Sequence, residues 1–420
     1  MQIEETIKAC IHCGICLPAC PTYQVTANEG HSPRGRLYLI NDAIKGEQVD
    51  EAVIDYLDGC LECSACETVC PSGVDYINIL EYARVELGLS HYARGLMASI
   101  RRLAFEFLLP NRSLMNMLRI LARFLPLKLI NKLSPNFDFE YKAIKTDHYY
   151  RCGEEGAKTI SLPLGCVMDT AYNNVHWDTI KVLNTAGYDV YIPETKCCGA
   201  LAYHSGEQQL GKHQLSSKVE VLSEKDYPVV MNSAGCGAWL KNHSDLEILD
   251  LIELLQPSLR GACDEAIQWI DSVDALDCFT GARNDSESIK AVYHPACHIN
   301  HQQGVSDQYV ELLEKIPGLE LIPLYEADLC CGSAGFYNLI QSKMADKIGQ
   351  RKAANIKQAS YPEEQRDPDV LRTQDDSCDV RTSIVLTANP GCMSQIQAHL
   401  GDEYQVMHPV SFLNQKLQQL

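Results

Sequence analysis

Cys10, Cys13, Cys16 and Cys20, followed by Pro21, form the run C-x2-C-x2-C-x3-C-P, and Cys60, Cys63, Cys66, Cys70 and Pro71 repeat it fifty residues later. Three cysteines spaced by two residues on a tight loop can turn their sulfurs toward one point, and soft thiolates select iron–sulfur centres or zinc over hard cations. Zinc sites pair two C-x2-C knuckles; they do not close a single four-cysteine run on proline. The two runs therefore predict two 4Fe-4S clusters, whose chemistry is one-electron transfer.

In two-cluster ferredoxins the cysteine just before the proline ligates the other cluster. That crossing predicts Cys10, Cys13, Cys16 and Cys70 as ligands of one cluster and Cys20, Cys60, Cys63 and Cys66 as ligands of the second. Arg34 and Arg36, in the segment SPRGR, are placed to tune a cluster, because nearby positive charge lowers the cost of its reduced, more negative state. Ser32 and Pro33 in the same segment read as the N-cap and first-turn residue of a helix.

A second set of thiols needs a different scaffold to bring it together. From Thr159 onward, short runs rich in Val, Ile and Leu alternate with helical patterns, which argues for α/β units with a parallel sheet. The runs are TISLPLG, YDVYIP and PVVMNS, then AVYHP, LELIPL and SIVLTAN. Each ends just before cysteines, and open α/β sheets build their sites at the carboxyl ends of parallel strands. Cys166, Cys197, Cys198 and Cys236 are thus expected to converge in one half, and Cys297, Cys330, Cys331 and Cys392 in the other. The offset of about 131 residues between Cys166 and Cys297, with Cys-Cys-Gly and Gly-Cys occurring twice, marks a duplication. Gly199 and Gly332 would let the backbone turn closely at each Cys-Cys-Gly. His294, His298 and His301 surround Cys297 and could supply an imidazole ligand or a proton, although donation of a hydrogen bond to a ligand is the commoner role. Cys152, Cys263, Cys278 and Cys378 fit neither pattern and are expected to be free thiols, Cys378 within a polar insertion.

The expected organisation is a ferredoxin-type unit over 1–88, a basic helical connector over 89–156, a first repeat over 157–258, a linker over 259–290 and a second repeat over 291–420. The fold class is α/β with a small α+β part. A composition of 46% hydrophobic and 22% charged residues fits a soluble globular chain, and a net charge of -19 argues against nucleic acid as a partner. MQIEETIKAC offers no charged segment followed by an apolar one, so a cytoplasmic protein is expected. Twenty cysteines in that compartment are better explained by metal than by disulfides. No window of about 18 uninterrupted apolar residues predicts a spanning helix. Between His91 and Leu133, however, Arg94, Arg101, Arg102, Arg112, Arg119, Arg123, Lys128 and Lys132 face the single acid Glu106. They are mixed with apolar residues at helical spacing and broken at Pro110 and Pro126. Such a stretch lies on an anionic membrane face, docks an acidic partner, or packs as linker helices.

The order Cys, Cys-Cys-Gly, Gly-Cys resembles the cysteine-rich CCG domain of heterodisulfide-reductase-type proteins. Within that superfamily the sequence is similar to the iron–sulfur subunits of glycolate oxidase, on the stretches CIHCGICLPACPTY, SPRGRLYLI, CLECSACETVCPSGVDY, CCGALAYHSG, HPACHINHQQGV, CCGSAGFYNL and NPGC. The family's fullest CCG pattern ends in C-x2-C, and here Ser233 and Asn389 occupy the first of those positions. Four thiolates per half argue against a five-thiolate noncubane pair of clusters and leave a cubane, a zinc ion in one half, or an empty half. The resemblance implies a glycolate dehydrogenase complex, peripherally held on the cytoplasmic face of the inner membrane. FAD-binding subunits would oxidise glycolate to glyoxylate, with D-lactate as a further candidate substrate, and this chain would pass electrons toward quinone. No G-x-G-x-x-G after a strand and no P-loop is present, so the flavin is expected on a partner chain. Two alternatives stay open: the iron–sulfur subunit of anaerobic glycerol-3-phosphate dehydrogenase, and a heterodisulfide-reductase-like catalytic subunit.

Overall fold

The computed structural model describes residues 3–91, 95–122, 124, 141–255, 288–316, 318–360 and 382–418. Cys263, Cys278 and Cys378 lie outside these residues, as do Arg94, Arg123, Lys128, Lys132 and most of the segment 259–290.

The N-terminal unit is built from short helices, with no strand among the described residues of 3–91. Local capping sets two of them. Ser32 accepts a hydrogen bond from the Gly35 amide at 3.0 Å and starts the helix Pro33–Ile44 with proline in its first turn, as the sequence predicts. Asp50 caps the helix Glu51–Asp58 in the same way through the Val53 amide at 3.0 Å. The helix Tyr76–Val85 closes the unit, burying Ile79, Leu80 and Ala83 against Leu37, Ile40 and Leu57.

Two sheets follow. The first contains β1 (His148–Tyr150), β2 (Thr159–Ser161), β3 (Asp189–Ile192), β4 (Val229–Met231) and β5 (Ile248–Asp250), in the order β1-β3-β2-β4-β5. The second contains β6 (Ile289–Tyr293), β7 (Leu319–Ile322), β8 (Ile384–Leu386) and β9 (Gln405–Met407), in the order β7-β6-β8-β9. All pairings are parallel except β1 with β3. Removing β1 leaves the same strand order in both, so the duplication extends from cysteine spacing to topology. In each, the first strand of the repeat lies between the second and the third; the strand order reverses there, and a crevice opens at the carboxyl edge.

The six runs read from sequence are β2, β3, β4, β6, β7 and β8. The three remaining strands are three-residue edge pieces. One of them, β1, lies within the stretch 89–156 expected as a helical connector, and β5 runs straight into the helix Leu251–Leu255, which hides its pattern. One hydrophobic core spans both sheets, joining Leu162, Val190 and Val230 to Val292, Val385 and Met393. The helices Asn173–Thr185 and Pro409–Leu417 pack across the two halves, with Asn414 donating to Asp178 at 2.7 Å. The Ala234 amide, just past β4, bonds the Ala388 carbonyl, just past β8, at 3.2 Å. The two crevices therefore face each other.

The basic connector forms the helix Gly95–Leu103, a π-helical turn Ala104–Leu108, a break at Pro110 and the helix Arg112–Ala122. One side packs on the first repeat: Phe105 is buried, Arg112 pairs with Asp169 at 2.7 Å, and Gln214 donates to the Phe105 carbonyl at 2.7 Å. The other side exposes Ile100, Leu103, Phe107, Met117, Leu118, Ile120 and Leu121.

Candidate metal centres

The two ferredoxin-type runs wind alike. His12 and Gly14 in the first, and Glu62 and Ser64 in the second, all have positive φ. For residues with a side chain this conformation costs about 1–3 kcal/mol each and persists only where the surroundings hold it. Glu62 is held by Arg84 and by His204, the latter at 2.6 Å.

Cys20, Cys60, Cys63 and Cys66 line one pocket together with Arg36 and Tyr76. This grouping takes Cys20 out of its own run and sets it among the thiols of the other. Tyr76 donates to the Cys60 sulfur at 3.7 Å, and the hydroxyl of Thr22 lies 3.2 Å from the Cys20 sulfur. Burial raises the Cys16 thiol, with the nearby Cys10 and Cys20 sulfurs adding to it, Cys70 packs against the same core as Cys10, and Cys13 is exposed. The two arginines separate in character. Arg36 is 1% exposed and donates to the Tyr56 carbonyl at 2.7 Å and to Thr22 at 3.1 Å. Burial works against its charge, but Tyr76 and the Cys60 and Cys20 sulfurs outweigh it and raise its pKa. Arg34 is partly exposed, pairs with Glu29 at 2.6 Å and reaches the His12 carbonyl at 3.3 Å. Its charge is thus largely compensated, whereas Arg36 presents a buried cation to a thiol pocket.

The thiols of each repeat converge as well. Cys166 and Cys197 are 3.5 Å apart and Cys198 and Cys236 3.4 Å, with Cys197 and Cys198 in contact. In the second half Cys331 and Cys392 are 3.1 Å apart, and Cys297 touches Cys330. These are non-bonded separations, well beyond a disulfide bond of about 2.05 Å. Both quartets line a single cavity of about 320 Å³. The Cys-Cys-Gly glycines are required by crowding: Gly199 and Gly332 have φ of +88° and +89°, and an added Cβ would lie 2.2 Å from the Gly211 carbonyl oxygen and 2.9 Å from that of Ala345. Ser233 and Asn389, at the positions of the family's additional cysteine, line the cavity, and Asn389 donates to the Cys392 sulfur at 3.4 Å. Neighbouring thiols hold Cys198 well below the ordinary thiol value, whereas adjacent thiols and then burial push Cys236 and Cys297 up. Convergent soft thiols lining one shared cavity fit iron–sulfur centres.

Each quartet also has a buried lysine that sequence reading passes over. Lys218 is 2% exposed and donates to the Thr195 hydroxyl and the Lys196 carbonyl at 3.1 and 3.2 Å. Lys352 is 0% exposed and donates to the carbonyls of Glu326 and Ala327 at 2.6 and 3.1 Å. In both halves the ammonium ties down the loop entering Cys-Cys-Gly. Burial lowers the Lys352 pKa to about 8, with the Cys331 and Cys330 sulfurs pulling it back up. The only forewarning in sequence is that both lysines follow their Cys-Cys-Gly at nearly the same distance.

The three histidines around Cys297 have three different surroundings. His298 places Nδ1 3.4 Å from the Cys297 sulfur, and His301 joins Thr68 of the N-terminal unit at 3.1 Å. His294 is fully buried close to Cys331 and Cys392. Cys152 lies in the turn between β1 and β2, outside both pockets, and its amide donates to Asp189 at 2.9 Å.

The N-terminal unit docks on both repeats. Leu61, Cys63 and Ala65 share an apolar cluster with Cys297, Cys330 and Tyr337, and Tyr337 donates to the Gly59 carbonyl at 2.9 Å. Arg351 pairs with Glu326 at 2.5 Å and donates to the Gln24 carbonyl at 3.0 Å. Against the first repeat, Tyr203 donates to Glu81 at 2.8 Å beside the Glu62–His204 pair. Burial, then the charge of Glu62, raises the Glu81 pKa from 4.5 to about 7. A carboxyl raised in the folded state stabilises the fold while protonated. Its contribution is complete below the ordinary value and is lost as pH rises through about 7. His204, also raised, changes in the same direction. Glu81→Gln should therefore flatten the decline in thermal midpoint between about pH 5 and pH 8, recovering at most about 3 kcal/mol at the alkaline end.

The profile of the 4Fe-4S dicluster domain matches residues 6–74, and that of the cysteine-rich CCG domain matches residues 161–241 and 291–397. The chain is 31% identical to the probable glycolate oxidase iron-sulfur subunit of Bacillus subtilis (strain 168), over 94% of this chain and 89% of that protein. It is 27% identical to the glycolate oxidase iron-sulfur subunit of Escherichia coli (strain K12), over 100% of this chain and 96% of that one. Lactate utilization protein A of Geobacillus kaustophilus (strain HTA426) is 28% identical over 61% of this chain and 98% of its own length. With a dicluster unit, a duplicated CCG fold and near-full-length similarity, the chain belongs to the family of glycolate oxidase iron-sulfur subunits.

Proposed function

We propose that this chain is the electron-transfer subunit of a membrane-associated 2-hydroxy-acid dehydrogenase complex. FAD-binding partner subunits remove two electrons and two protons from glycolate, leaving glyoxylate, and this chain relays the electrons singly toward a quinone. One observation carries the reading: the second ferredoxin-type run packs directly on the second quartet, with Cys63 in the same apolar cluster as Cys297 and Cys330. When bound, iron–sulfur clusters supply one-electron redox chemistry at such sites. The chain's own residues bury Cys20, Cys63, Cys197, Cys198, Cys297, Cys330, Cys331 and Cys392 and set positive charge, from Arg36, Lys218 and Lys352, near the thiols. The ligand sets follow the crossed grouping for the N-terminal unit, and the two quartets hold further centres.

Entry of electrons at the first run is supported by its exposure. Cys13 is exposed and is flanked by Ile11, 68% exposed, and Ile15. An apolar rim around an exposed redox site suits brief docking of a flavoprotein. Ile11→Asp combined with Ile15→Asp should slow reduction by the flavoprotein about tenfold or more with iron content unchanged, measured by rapid mixing. No described helix is long and apolar enough to cross a membrane. The exposed apolar side of the connector, around Leu103, Phe107 and Leu121, and the arginines of that stretch support docking on an anionic bilayer surface.

Copurification tests the reading. The tagged full chain should recover a flavin-binding partner, and the mixture should reduce a dye with glycolate. Dye reduction with glycerol 3-phosphate, or recovery of the chain alone with disulfide-reductase activity, would select one of the alternatives. The similarity to lactate utilization protein A makes lactate the second substrate to assay.

A further inference from the structure

We infer that His294 is a ligand to the iron–sulfur centre of the second CCG half, making that centre a mixed imidazole–thiolate site while the first half is all thiolate. The inference rests on the reading that the second quartet holds such a centre.

His294 directly follows β6 in the central position of the second sheet, and its amide is fixed by the Leu386 carbonyl at 2.9 Å. The residue is 0% exposed, and neither ring nitrogen has a hydrogen-bond partner among the described residues. A buried polar atom without a partner costs about 1–3 kcal/mol. Such a cost points to a partner that is not a protein group. A ring nitrogen of His294 lies within 4.8 Å of the sulfurs of Cys331 and Cys392, and all three side chains are buried. Metal–nitrogen bonds of about 2.0–2.1 Å and metal–sulfur bonds of about 2.3 Å span a triangle of this size.

The neighbouring histidines do not compete for this role. His298 engages the Cys297 sulfur, and His301 bridges Thr68 and the Asp328 carbonyl. At the matching position of the first half stands Pro163, three residues before Cys166, where His294 stands three before Cys297. The second half thus has a fifth donor where Asn389 replaces a family cysteine, and the first half does not. Imidazole in place of thiolate raises the potential of an iron–sulfur centre. The second-half centre would accordingly draw electrons from the adjoining second ferredoxin-type run.

The test uses the full chain, reconstituted anaerobically with iron and sulfide after growth on ¹⁵N-histidine, reduced and examined by pulsed EPR. Wild type should show a ¹⁵N coupling that His294→Ala abolishes and His301→Ala retains, and His294→Cys should restore the centre at a lower midpoint potential. The wild-type spectrum is informative even if a variant does not fold. Absence of the coupling in wild type, or its persistence in His294→Ala, overturns the inference when iron analysis shows the second quartet filled. Equal iron in wild type and in a Cys331→Ser, Cys392→Ser double variant instead removes the reading on which the inference rests, and the inference with it.

Discussion

Cys20→Ser and Cys63→Ser are expected to remove the same cluster, although the two residues belong to different runs. Both sulfurs face one pocket with Cys60 and Cys66, and both residues are buried there. Loss of either thiolate should lower iron and sulfide by about four atoms each per chain. The same EPR signal should vanish, and electron flow to the acceptor should fall to background. Cys16→Ser should remove the other signal. If Cys20→Ser instead removes the signal lost in Cys16→Ser, each run ligates its own cluster and the crossed grouping is wrong. Cys152→Ser and Cys263→Ser serve as controls, since neither residue belongs to a cysteine pattern, and both should leave iron content and electron flow intact.

The second large effect is expected at the buried lysines. Lys352→Met removes a cation that holds two carbonyls of the loop leading into Cys330 and Cys331. Leaving those carbonyls unpaired costs about 1–3 kcal/mol each, readable as a lower denaturation midpoint. Removing the charge also makes the reduced state of the neighbouring centre harder to reach, by on the order of 1–3 kcal/mol at an effective dielectric near 20. A redox titration should therefore show a fall in midpoint potential confined to the second-half centre. Lys218→Met should do the same to the first-half centre alone. Lys352→Arg separates the two contributions, because it keeps the charge while straining the packing. A potential restored by Arg and not by Met assigns the effect to charge.

How much of this was legible from sequence depends on how local each signal is. The cysteine runs declare themselves because ligation needs sulfurs at fixed spacing on one loop. The inner strands do so because a parallel strand covered on both faces must be continuously apolar, as Val229, Val230 and Met231 are. β1, β5 and β9 each include a polar residue, as His148-Tyr149-Tyr150, Ile248-Leu249-Asp250 and Gln405-Val406-Met407, and leave no such continuous apolar run. Convergence of the quartets followed from placing each cysteine at a carboxyl edge. That the two crevices open onto one cavity did not, because it depends on how the repeats pack. Lys218 and Lys352 were invisible for a related reason: a lysine in a polar helix ordinarily points to solvent, and only the fold turns these two inward. Arg34 and Arg36 look equivalent in SPRGR, yet they lie two apart on a helix, so one faces the core and the other faces Glu29.

On the proposed reading, this chain carries electrons released by 2-hydroxy-acid oxidation on another chain. Anaerobic addition of glycolate to the assembled complex, followed by the visible iron–sulfur absorption and the EPR of this subunit, tests it most directly. The clusters should become reduced in the complex and stay oxidised when the subunit is mixed with glycolate alone. Reduction of the isolated subunit by glycolate, or clusters that remain oxidised in a complex that turns glycolate over, would contradict it.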